Sequence, residues 1–271
     1  MDAEQQYGIC VAGLKEYAAG MGATEAVIGL SGGIDSSLTA CMCVDAFGAA
    51  SVHGYMLPGP YSTEHSLADA QQLARNLGVK AERISIVEPY NSFARELAGR
   101  CPGFSRTSAA ENTQARCRMI MLMGLSNYHG WMMVNTGNKS EAMMGYSTLY
   151  GDTAGAYAPI GGLYKTDVYA VARWANERAA AAGAVPPIPE NVFVKPPSAE
   201  LSPGQKDEDS FGMPYAQLDR LLIDHVERGM DADALIAAGY DADDVRSVTR
   251  RVASFAFKRA MEPPFPEIAY E

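Results

Sequence analysis

One stretch restricts the fold of this chain more than any other: a glycine-rich loop between two apolar runs. The loop reads, in order, Gly29, Leu30, Ser31, Gly32, Gly33, Ile34, Asp35, Ser36 and Ser37. Residues 26–28 before it are an apolar run typical of a buried strand, and residues 38–44 after it indicate a helix. Unpaired backbone N–H groups and the helix dipole favour an anion at such a helix start. The stretch therefore predicts a strand, a tight turn and a helix that bind phosphate.

The loop differs from two common phosphate-binding motifs. The Walker pattern requires a Lys before its Ser or Thr, the dinucleotide fingerprint requires a third glycine, and this loop has neither. Asp35 would repel a phosphate unless a divalent cation lies between them, and Mg²⁺ binds carboxylate and phosphate oxygens together. The string resembles the SGGxDS pyrophosphate loop of the ATP pyrophosphatases, which cleave ATP between its α and β phosphates. The simpler alternative is a glycine turn with a Ser/Asp helix cap.

Charge and cysteine content exclude several classes of protein. Lys and Arg number 22 and Asp and Glu 32, a net charge of −10, which argues against broad nucleic-acid binding. The 5 Cys include no CxxC pair and are odd in number, so reduced buried thiols are expected rather than zinc or disulfides. Four charged residues precede position 20, which argues against a signal peptide, and no apolar run approaches the roughly 18 residues of a membrane span. We expect a cytoplasmic protein with no membrane partner.

The order of the predicted elements defines the fold class. Predicted strands cover 26–28, 52–57, 83–86 and 131–135, and predicted helices cover 3–20, 38–44, 64–76, 111–128, 166–182, 215–228, 231–238 and 241–259. Alternating strands and helices at this spacing predict an α/β fold with a doubly wound, Rossmann-like parallel sheet, followed by a helical C-terminal part. Residues 88–110 and 195–214 are predicted to be irregular and are candidates for a mobile lid. We expect one domain over residues 1–271.

Two further polar sites follow from this topology. Thr136 and Glu141 come directly after the fourth strand, so they share a sheet edge with the loop, and Glu141 offers a second carboxylate for Mg²⁺. Lys165 precedes a predicted helix and suits a phosphate clamp, because a cation stabilises charge on a leaving pyrophosphate. The simpler alternatives are a helix-capping role for Glu141 and a solvated Lys165.

The middle of the chain contains candidates for binding the remainder of a substrate. Arg116 and Arg118 lie on different faces of one predicted helix, so one suits ligand binding while the other braces the structure. Tyr146 and Tyr150 offer flat faces for a ring, although core packing is the commoner role of such tyrosines.

Seven strings in order resemble NAD synthetase over nearly the whole chain. They are SGGIDSS, ENTQARCRM, NTGNKSE, GYSTLYGD, KPPSAEL, QKDED and FKRAMEPP. The resemblance implies an adenine nucleotide alpha hydrolase-like fold and the ATP-dependent amidation of deamido-NAD. In that reaction the nicotinate carboxylate attacks the α-phosphate, pyrophosphate leaves, and ammonia then displaces AMP from the adenylate.

The resemblance also assigns residues. It implies ATP contacts for the loop at 29–36, Thr136, Lys165 and Ser198, and Mg²⁺ ligands at Asp35 and Glu141. Catalytic roles are implied for Lys165 and for Asp152, which matches an acid near the incoming ammonia. The positions implied to bind the dinucleotide are Arg116, Tyr146, Leu149, Asp152, Ala156, Phe257 and Lys258.

The chain departs from the small ammonia-dependent members at three dinucleotide positions. Those members usually carry Lys, Asp and His where this chain has Leu149, Ala156 and Phe257. Other strings are closer to the synthetase domain of glutamine-dependent members, which also carry a glutaminase domain. No Cys–Glu–Lys glutaminase set is recognisable, so we expect the chain to use free ammonia or to take it from a separate glutaminase partner.

The family builds its dinucleotide site across a two-fold interface, which implies a homodimer. The methionine-rich helix at 111–128 and the tyrosines that follow it, Tyr146, Tyr150 and Tyr157, agree with an interface, although core packing would be the favoured interpretation without the resemblance. Alternative functions are another ATP pyrophosphatase, such as a GMP-synthetase-like amidotransferase or a tRNA-modifying enzyme, and a non-catalytic nucleotide-binding module.

Overall fold

The computed structural model describes residues 1–270 of the chain. Four parallel strands form one sheet in the order β3-β2-β1-β4. The strands are β1 Ala26–Gly29, β2 Val52–Met56, β3 Lys80–Arg83 and β4 Met132–Met133. Ala26 pairs with Val52 on one side and with Met132 on the other, so the carboxyl ends of the three strands lie at one edge. The order changes direction at β1, which places a topological switch point beside the glycine-rich loop.

Helices cover both faces of the sheet. In the first half they are α1 Ala3–Met21, α2 Ile34–Phe47, α3 Glu64–Leu77, α4 Val87–Ala98, α5 Ser108–His129 and α6 Lys139–Met144. Ala26 and Ile28 of β1 pack with α1, α2 and α3, whereas Val27 between them packs with α4 and α5. This alternation is the side-chain period of a strand buried on both faces. The predicted doubly wound α/β fold is confirmed.

The second half of the chain is helical, as predicted. It contains α7 Lys165–Ala181, α8 Glu190–Val194, α9 Asp207–Phe211, α10 Tyr215–Leu222, α11 Ala232–Ala237, α12 Ala242–Ser254 and α13 Ala256–Arg259. A π-helical turn, Ile223–Glu227, continues α10. These helices build a second hydrophobic cluster around Leu218, Leu222 and Val248, together with Met144 from α6. This cluster fixes α6 and the start of α7 beside the sheet edge.

Three predictions of secondary structure are wrong. The third strand is Lys80–Arg83 rather than 83–86, because β3 is an edge strand with mostly exposed side chains and no apolar run marks it. Ile84 and Ile86 follow β3 and still donate backbone hydrogen bonds to the carbonyls of Met56 and Pro58.

Residues 88–110, predicted to be irregular, contain α4, a 3₁₀ turn at Phe104–Arg106 and the start of α5. Pro89 obscured α4 in the sequence, but it lies in the first helical turn, where a proline is tolerated. Tyr90 is the buried residue of this helix, and Val87, Ala94 and Leu97 lie at helical spacing from it, so the sequence carried a helical signal that the prediction missed. Within 195–214 the structure likewise contains a short helix, α9, where only loop was predicted.

Cys10, Cys41, Cys43 and Cys117 are free and buried, as expected, whereas Cys101 is exposed. Over residues 1–270, no helix has the length and apolar character that a bilayer crossing requires.

Candidate active site

A cleft of about 890 Å³ opens at the carboxyl edge of the sheet. One wall is the glycine-rich loop together with the start of α6 at Thr136–Glu141. The segment 195–207 forms the opposite wall, and residues near 258–265 close one end. Three parts of the chain that are distant in sequence therefore converge on one space, which has the size of a nucleotide-binding site.

The glycine-rich loop presents the start of α2 to this cleft. Gly33 is the N-cap residue and provides no side-chain cap, so the first-turn N–H groups of α2 face the cleft uncapped by any side chain. Ser31 and Ser36 hold the loop together, with 2.9 Å between their Oγ atoms, and Ser31 Oγ also accepts from the Gly33 N–H at 3.1 Å. The structure thus has the predicted strand, tight turn and helix start, with hydroxyl groups that fix the shape of the loop, and its binding of an anion stays a prediction.

Gly32 is required by the packing of this loop. Its φ of 80° lies in the left-handed region, and a Cβ there would stand 2.1 Å from the carbonyl oxygen of Ser66 on α3. Any side chain at position 32 would push the loop away from α3.

Lys165 brings the two predicted metal carboxylates together. Its Nζ lies 2.6 Å from Asp35 Oδ2 and 3.0 Å from Glu141 Oε1, and its side chain is only 2 % exposed. Asn138 is the N-cap of α6, where it accepts from the Glu141 N–H, and its amide donates to Asp35 Oδ1 at 2.9 Å. Glu141 therefore lies in a capped first helical turn and also points its carboxylate at Lys165, and its role as a metal ligand stays a prediction.

Two residues of this cluster were not predicted as site residues. Asp207, at the start of α9, is 4 % exposed, and its Oδ1 has no hydrogen-bond partner within residues 1–270. The Tyr215 hydroxyl lies 3.4 Å from both Glu141 Oε1 and Asp207 Oδ2. Asp207 stands in the QKDED string, whose acidic run looks like an ordinary solvated loop, so the sequence did not indicate a buried role.

Burial sets the charges of this cluster. Loss of hydration, partly offset by Lys165, raises the pKa of Glu141 to about 7. Burial also raises the pKa of Asp207. Burial alone would lower the pKa of Lys165, but the neighbouring Asp35 and Glu141 outweigh it and raise that pKa, so the ammonium stays charged.

The backbone of Lys165 is fixed by a buried hydrogen-bond chain that the sequence did not reveal. The Lys165 N–H donates to Ser140 Oγ at 2.8 Å, and Ser140 Oγ donates to Asp219 Oδ1 at 2.6 Å. Asp219 Oδ2 accepts from the Thr166 N–H at 2.8 Å. Asp219 on α10 thus caps the start of α7 from another helix. The sequence feature that could have revealed this role is an acidic residue on the apolar face of a predicted helix.

The segment 195–206 is held against α3 by Glu200. This carboxylate accepts from the N–H and the hydroxyl of Thr63 at 3.1 and 2.8 Å, and from Ser66 Oγ at 2.7 Å. Glu200 has a φ of 50°, uncommon for a residue with a side chain. Ser198, predicted to contact ATP, lines the cleft in this segment. Residues 88–110 are the other region that was predicted to form a lid, and of these only Ser108 lines the cleft.

The residues expected to bind the dinucleotide divide into two groups. Tyr146, Asp152 and Lys258 line the cleft. Four of the expected residues do not line the cleft that the described residues 1–270 form: Arg116, Leu149, Ala156 and Phe257. Arg116 Nε donates to the Leu149 carbonyl at 3.2 Å, outside the cleft, whereas Arg118 on the other helix face lines the wall.

Asp152, Lys258 and Glu262 form a second charged group in the cleft lining, which we call the other end of the cleft. Asp152 accepts a hydrogen bond from the Thr148 N–H; the residue is exposed overall, but loss of hydration at its carboxyl raises the pKa of that group. Lys258 Nζ donates to the carbonyls of Gly145 and Ser147 at 2.8 and 2.6 Å. Glu262 was not predicted, and loss of hydration raises its pKa to about 7.

The donor chemistry fits Mg²⁺ when a polyphosphate is also present. Asp35 and Glu141 offer hard carboxylate oxygens that already share one cation, and the uncapped N–H groups of α2 lie next to them. Within residues 1–270, no three His, Cys, Asp or Glu side chains form a metal site of their own. Mg²⁺ is commonly held by one or two carboxylates with the phosphates of its substrate, so this set would suffice.

Comparisons with known proteins identify the family of this chain. The NAD synthase family model matches residues 7–262. The glutamine-dependent NAD(+) synthetase of Thermotoga maritima is 42% identical over 256 residues, which are 94% of this chain and 44% of that protein. The chain thus spans about half the length of the curated relatives it matches.

Two solved structures match along the whole chain. The NH3-dependent NAD synthetase of Campylobacter jejuni has a TM-score of 0.73 and 27% identity, over 100% of both chains. The NMN synthetase of Francisella tularensis has a TM-score of 0.78 and 25% identity, over 100% of this chain and 98% of that one. On the match over residues 7–262, the chain belongs to the NAD synthase family.

Proposed function

We propose that this chain catalyses the ATP-dependent amidation of deamido-NAD to NAD, with ammonia as the nitrogen donor and AMP and pyrophosphate as by-products. The observation that supports this most strongly is the buried Lys165, held between Asp35 and Glu141 at the uncapped start of α2. A module that only binds nucleotide has no need of a buried cation between two carboxylates. Residues 1–271 act in this proposal as one synthetase domain.

The phosphates of ATP bind the N–H groups at the start of α2, with Thr136 and Ser198 on the cleft walls beside them. Mg²⁺, held by Asp35 and Glu141, would neutralise phosphate charge. The nicotinate carboxylate attacks the α-phosphorus, the α–β phosphoanhydride bond breaks, and pyrophosphate leaves with its charge stabilised by Lys165. The segment 195–206, held by Glu200, limits the access of water to the adenylate.

The second step belongs to the other end of the cleft. The nitrogen of ammonia attacks the activated carbonyl, the bond to AMP breaks, and the surplus proton leaves the nitrogen. Asp152 lines this end, and its raised pKa suits a group that accepts that proton.

The immediate nitrogen donor in this proposal is ammonia, although its source is a separate question. Several relatives bear the name glutamine-dependent NAD(+) synthetase and are about twice as long as this chain. We propose that residues 1–271 accept free ammonia or ammonia released by a glutaminase. On this basis the 271-residue chain turns over with ammonium and not with glutamine.

A mononucleotide substrate is the second candidate. One matching structure is an NMN synthetase, and the side chains of Leu149, Ala156 and Phe257 stand outside the cleft at positions expected to hold the dinucleotide. The same chemistry would then amidate nicotinic acid mononucleotide.

The deciding experiment incubates the chain with ATP and Mg²⁺, with ammonium or glutamine, and with deamido-NAD, nicotinic acid mononucleotide, XMP or no acceptor. We expect pyrophosphate and NAD with deamido-NAD and ammonium. Faster turnover of the mononucleotide selects the second candidate. If XMP is the only acceptor that gives pyrophosphate, both candidate substrates are wrong. If no acceptor gives pyrophosphate, the chain is a nucleotide-binding module without this activity.

A further inference from the structure

The position of the Lys165 ammonium coincides with the position expected for a divalent cation. Its nitrogen contacts one oxygen of Asp35 and one of Glu141, at 2.6 and 3.0 Å, and these are the two carboxylates assigned to Mg²⁺. Lys165 is among the most completely buried large side chains of the molecule. The ammonium is therefore a built-in counterion rather than a mobile surface charge.

We propose that Lys165 occupies the divalent-cation site of the nucleotide-free protein, and that its side chain moves toward Asp207 when a metal–nucleotide complex binds. The proposal rests on the proposed function only for the identity of the two metal carboxylates. An ammonium and a divalent cation repel each other at contact distance, so they compete for the same two carboxylates. The lysine thereby limits binding of metal that arrives without nucleotide.

The surroundings provide a destination for the displaced ammonium. Asp207 is 4 % exposed and its Oδ1 has no hydrogen-bond partner among the described residues, while the Tyr146 hydroxyl and the Ala199 N–H also lie against this carboxylate. Tyr215 links the two positions, because its hydroxyl lies 3.4 Å from Glu141 Oε1 and 3.4 Å from Asp207 Oδ2. The Lys165 nitrogen lies 5.3 Å from the centre of the Tyr215 ring.

Only the side chain of Lys165 has to move. Its backbone N–H is held by Ser140, and the next N–H, of Thr166, is held by Asp219. The start of α7 therefore stays in place while the four-carbon side chain rotates, and the displaced nitrogen remains beside the phosphates that it stabilises.

The competition predicts that loss of the lysine improves the binding of metal alone. Mn²⁺ titrations, followed by the electron paramagnetic resonance signal of free Mn²⁺ and by the thermal midpoint, are made without ATP or dinucleotide. We expect Lys165→Met to bind Mn²⁺ about tenfold tighter than wild type, and Lys165→Arg, which keeps the charge, to bind no tighter. The control is Lys80→Met, because Lys80 forms a Lys–Glu pair with Glu82 at 2.8 Å and neither residue lines the cleft.

Equal Mn²⁺ affinity in wild type and Lys165→Met overturns the proposal, as does an equal gain in Lys80→Met. If Lys165→Met does not fold, Asp207→Asn tests the second half. That variant should bind Mn²⁺ alone like wild type but bind Mn²⁺ with a non-hydrolysable ATP analogue more weakly, and unchanged binding of the complex overturns the displacement. These measurements involve no turnover, so failure of the amidation assay is a separate result.

Discussion

The two ends of the cleft are built differently. At the phosphate end, which comprises the loop at 29–37 with Glu141 and Lys165, each polar side chain meets a partner within this chain at hydrogen-bond distance. At the dinucleotide end, Arg116 and Phe257 lie outside the cleft wall, and Phe257 is 57% exposed. The polar side chains that we propose for phosphate binding are thus joined to one another within a single chain. Several side chains that we propose for dinucleotide binding do not reach the cleft of that chain.

This difference indicates what each end needs in order to work. Phosphate binding requires charges held in a fixed geometry before the ligand arrives, and the buried chain from Asp219 through Ser140 to Lys165 supplies that. The dinucleotide end presents exposed apolar side chains nearby, with Ile120 50% and Tyr150 62% exposed. We propose that a second copy of the chain completes this end in a homodimer. Tyr157, which the sequence placed with the interface candidates, is instead buried in the main core.

The largest effect is expected at the phosphate end. Asp35→Asn and Glu141→Gln each remove one carboxylate from the pair around Lys165 while keeping its shape, and each should lower kcat by about 10²-fold or more. Circular dichroism and steady-state kinetics at saturating Mg²⁺ check this. Glu190→Gln, which disturbs an exposed pair with Arg173, is the control and should leave kcat unchanged. A normal kcat for Glu141→Gln would contradict its metal role and leave only its place in the first turn of α6.

The next effect tests whether the phosphate end depends on its buried support. Asp219→Ala removes the acceptor for Ser140 and Thr166, so we expect about 1–3 kcal/mol less unfolding free energy and roughly tenfold lower kcat, with little change in KM for the dinucleotide. Urea denaturation and kinetics measure both. Asp231→Ala removes the cap of α11 and should cost about 1 kcal/mol of stability without altering kcat. Similar kinetics in the two variants would mean that Asp219 only stabilises the fold.

A smaller effect is expected at the dinucleotide end. If a second copy completes it, Arg116→Ala should raise KM for deamido-NAD about tenfold and leave KM for ATP unchanged. Light scattering after size exclusion, at micromolar concentration with and without deamido-NAD, should give the mass of two chains. A one-chain mass in both runs with full activity would contradict the shared site.

The smallest effect concerns pH at this same end. Glu262 has a folded pKa of about 7 against 4.5 for an ordinary Glu, so its ionised form is less favourable in the folded state than in the unfolded state. That penalty is absent below pH 4.5, grows as the pH rises, and is complete above pH 7. Glu262→Gln should therefore raise the thermal midpoint at pH 8 but not at pH 4.5, as scanning calorimetry can measure. Its charged neighbours are Asp152, Lys258 and Arg259, and an equal shift at both pH values would show that packing rather than charge is responsible.

The sequence predicted features that depend on neighbours along the chain. The loop, its flanking strand and its flanking helix all follow from local patterns, and the structure has them. Predictions failed for two elements in particular. The edge strand β3 has polar exposed residues and no apolar run, whereas α4 has apolar residues at helical spacing and a proline in its first turn.

Only the tertiary structure decided which polar groups meet. Asp35 and Glu141 share the Lys165 ammonium because α7 packs beside α2 and α6. Lys165 and Asp35 are more than a hundred residues apart in the sequence, so no local pattern could show this contact. The roles of Asp207, Asp219 and Glu200 likewise depend on burial and on contacts with distant segments. Local backbone preference and side-chain period are written into short stretches of sequence, whereas burial and long-range pairing of charges exist only after the chain has folded.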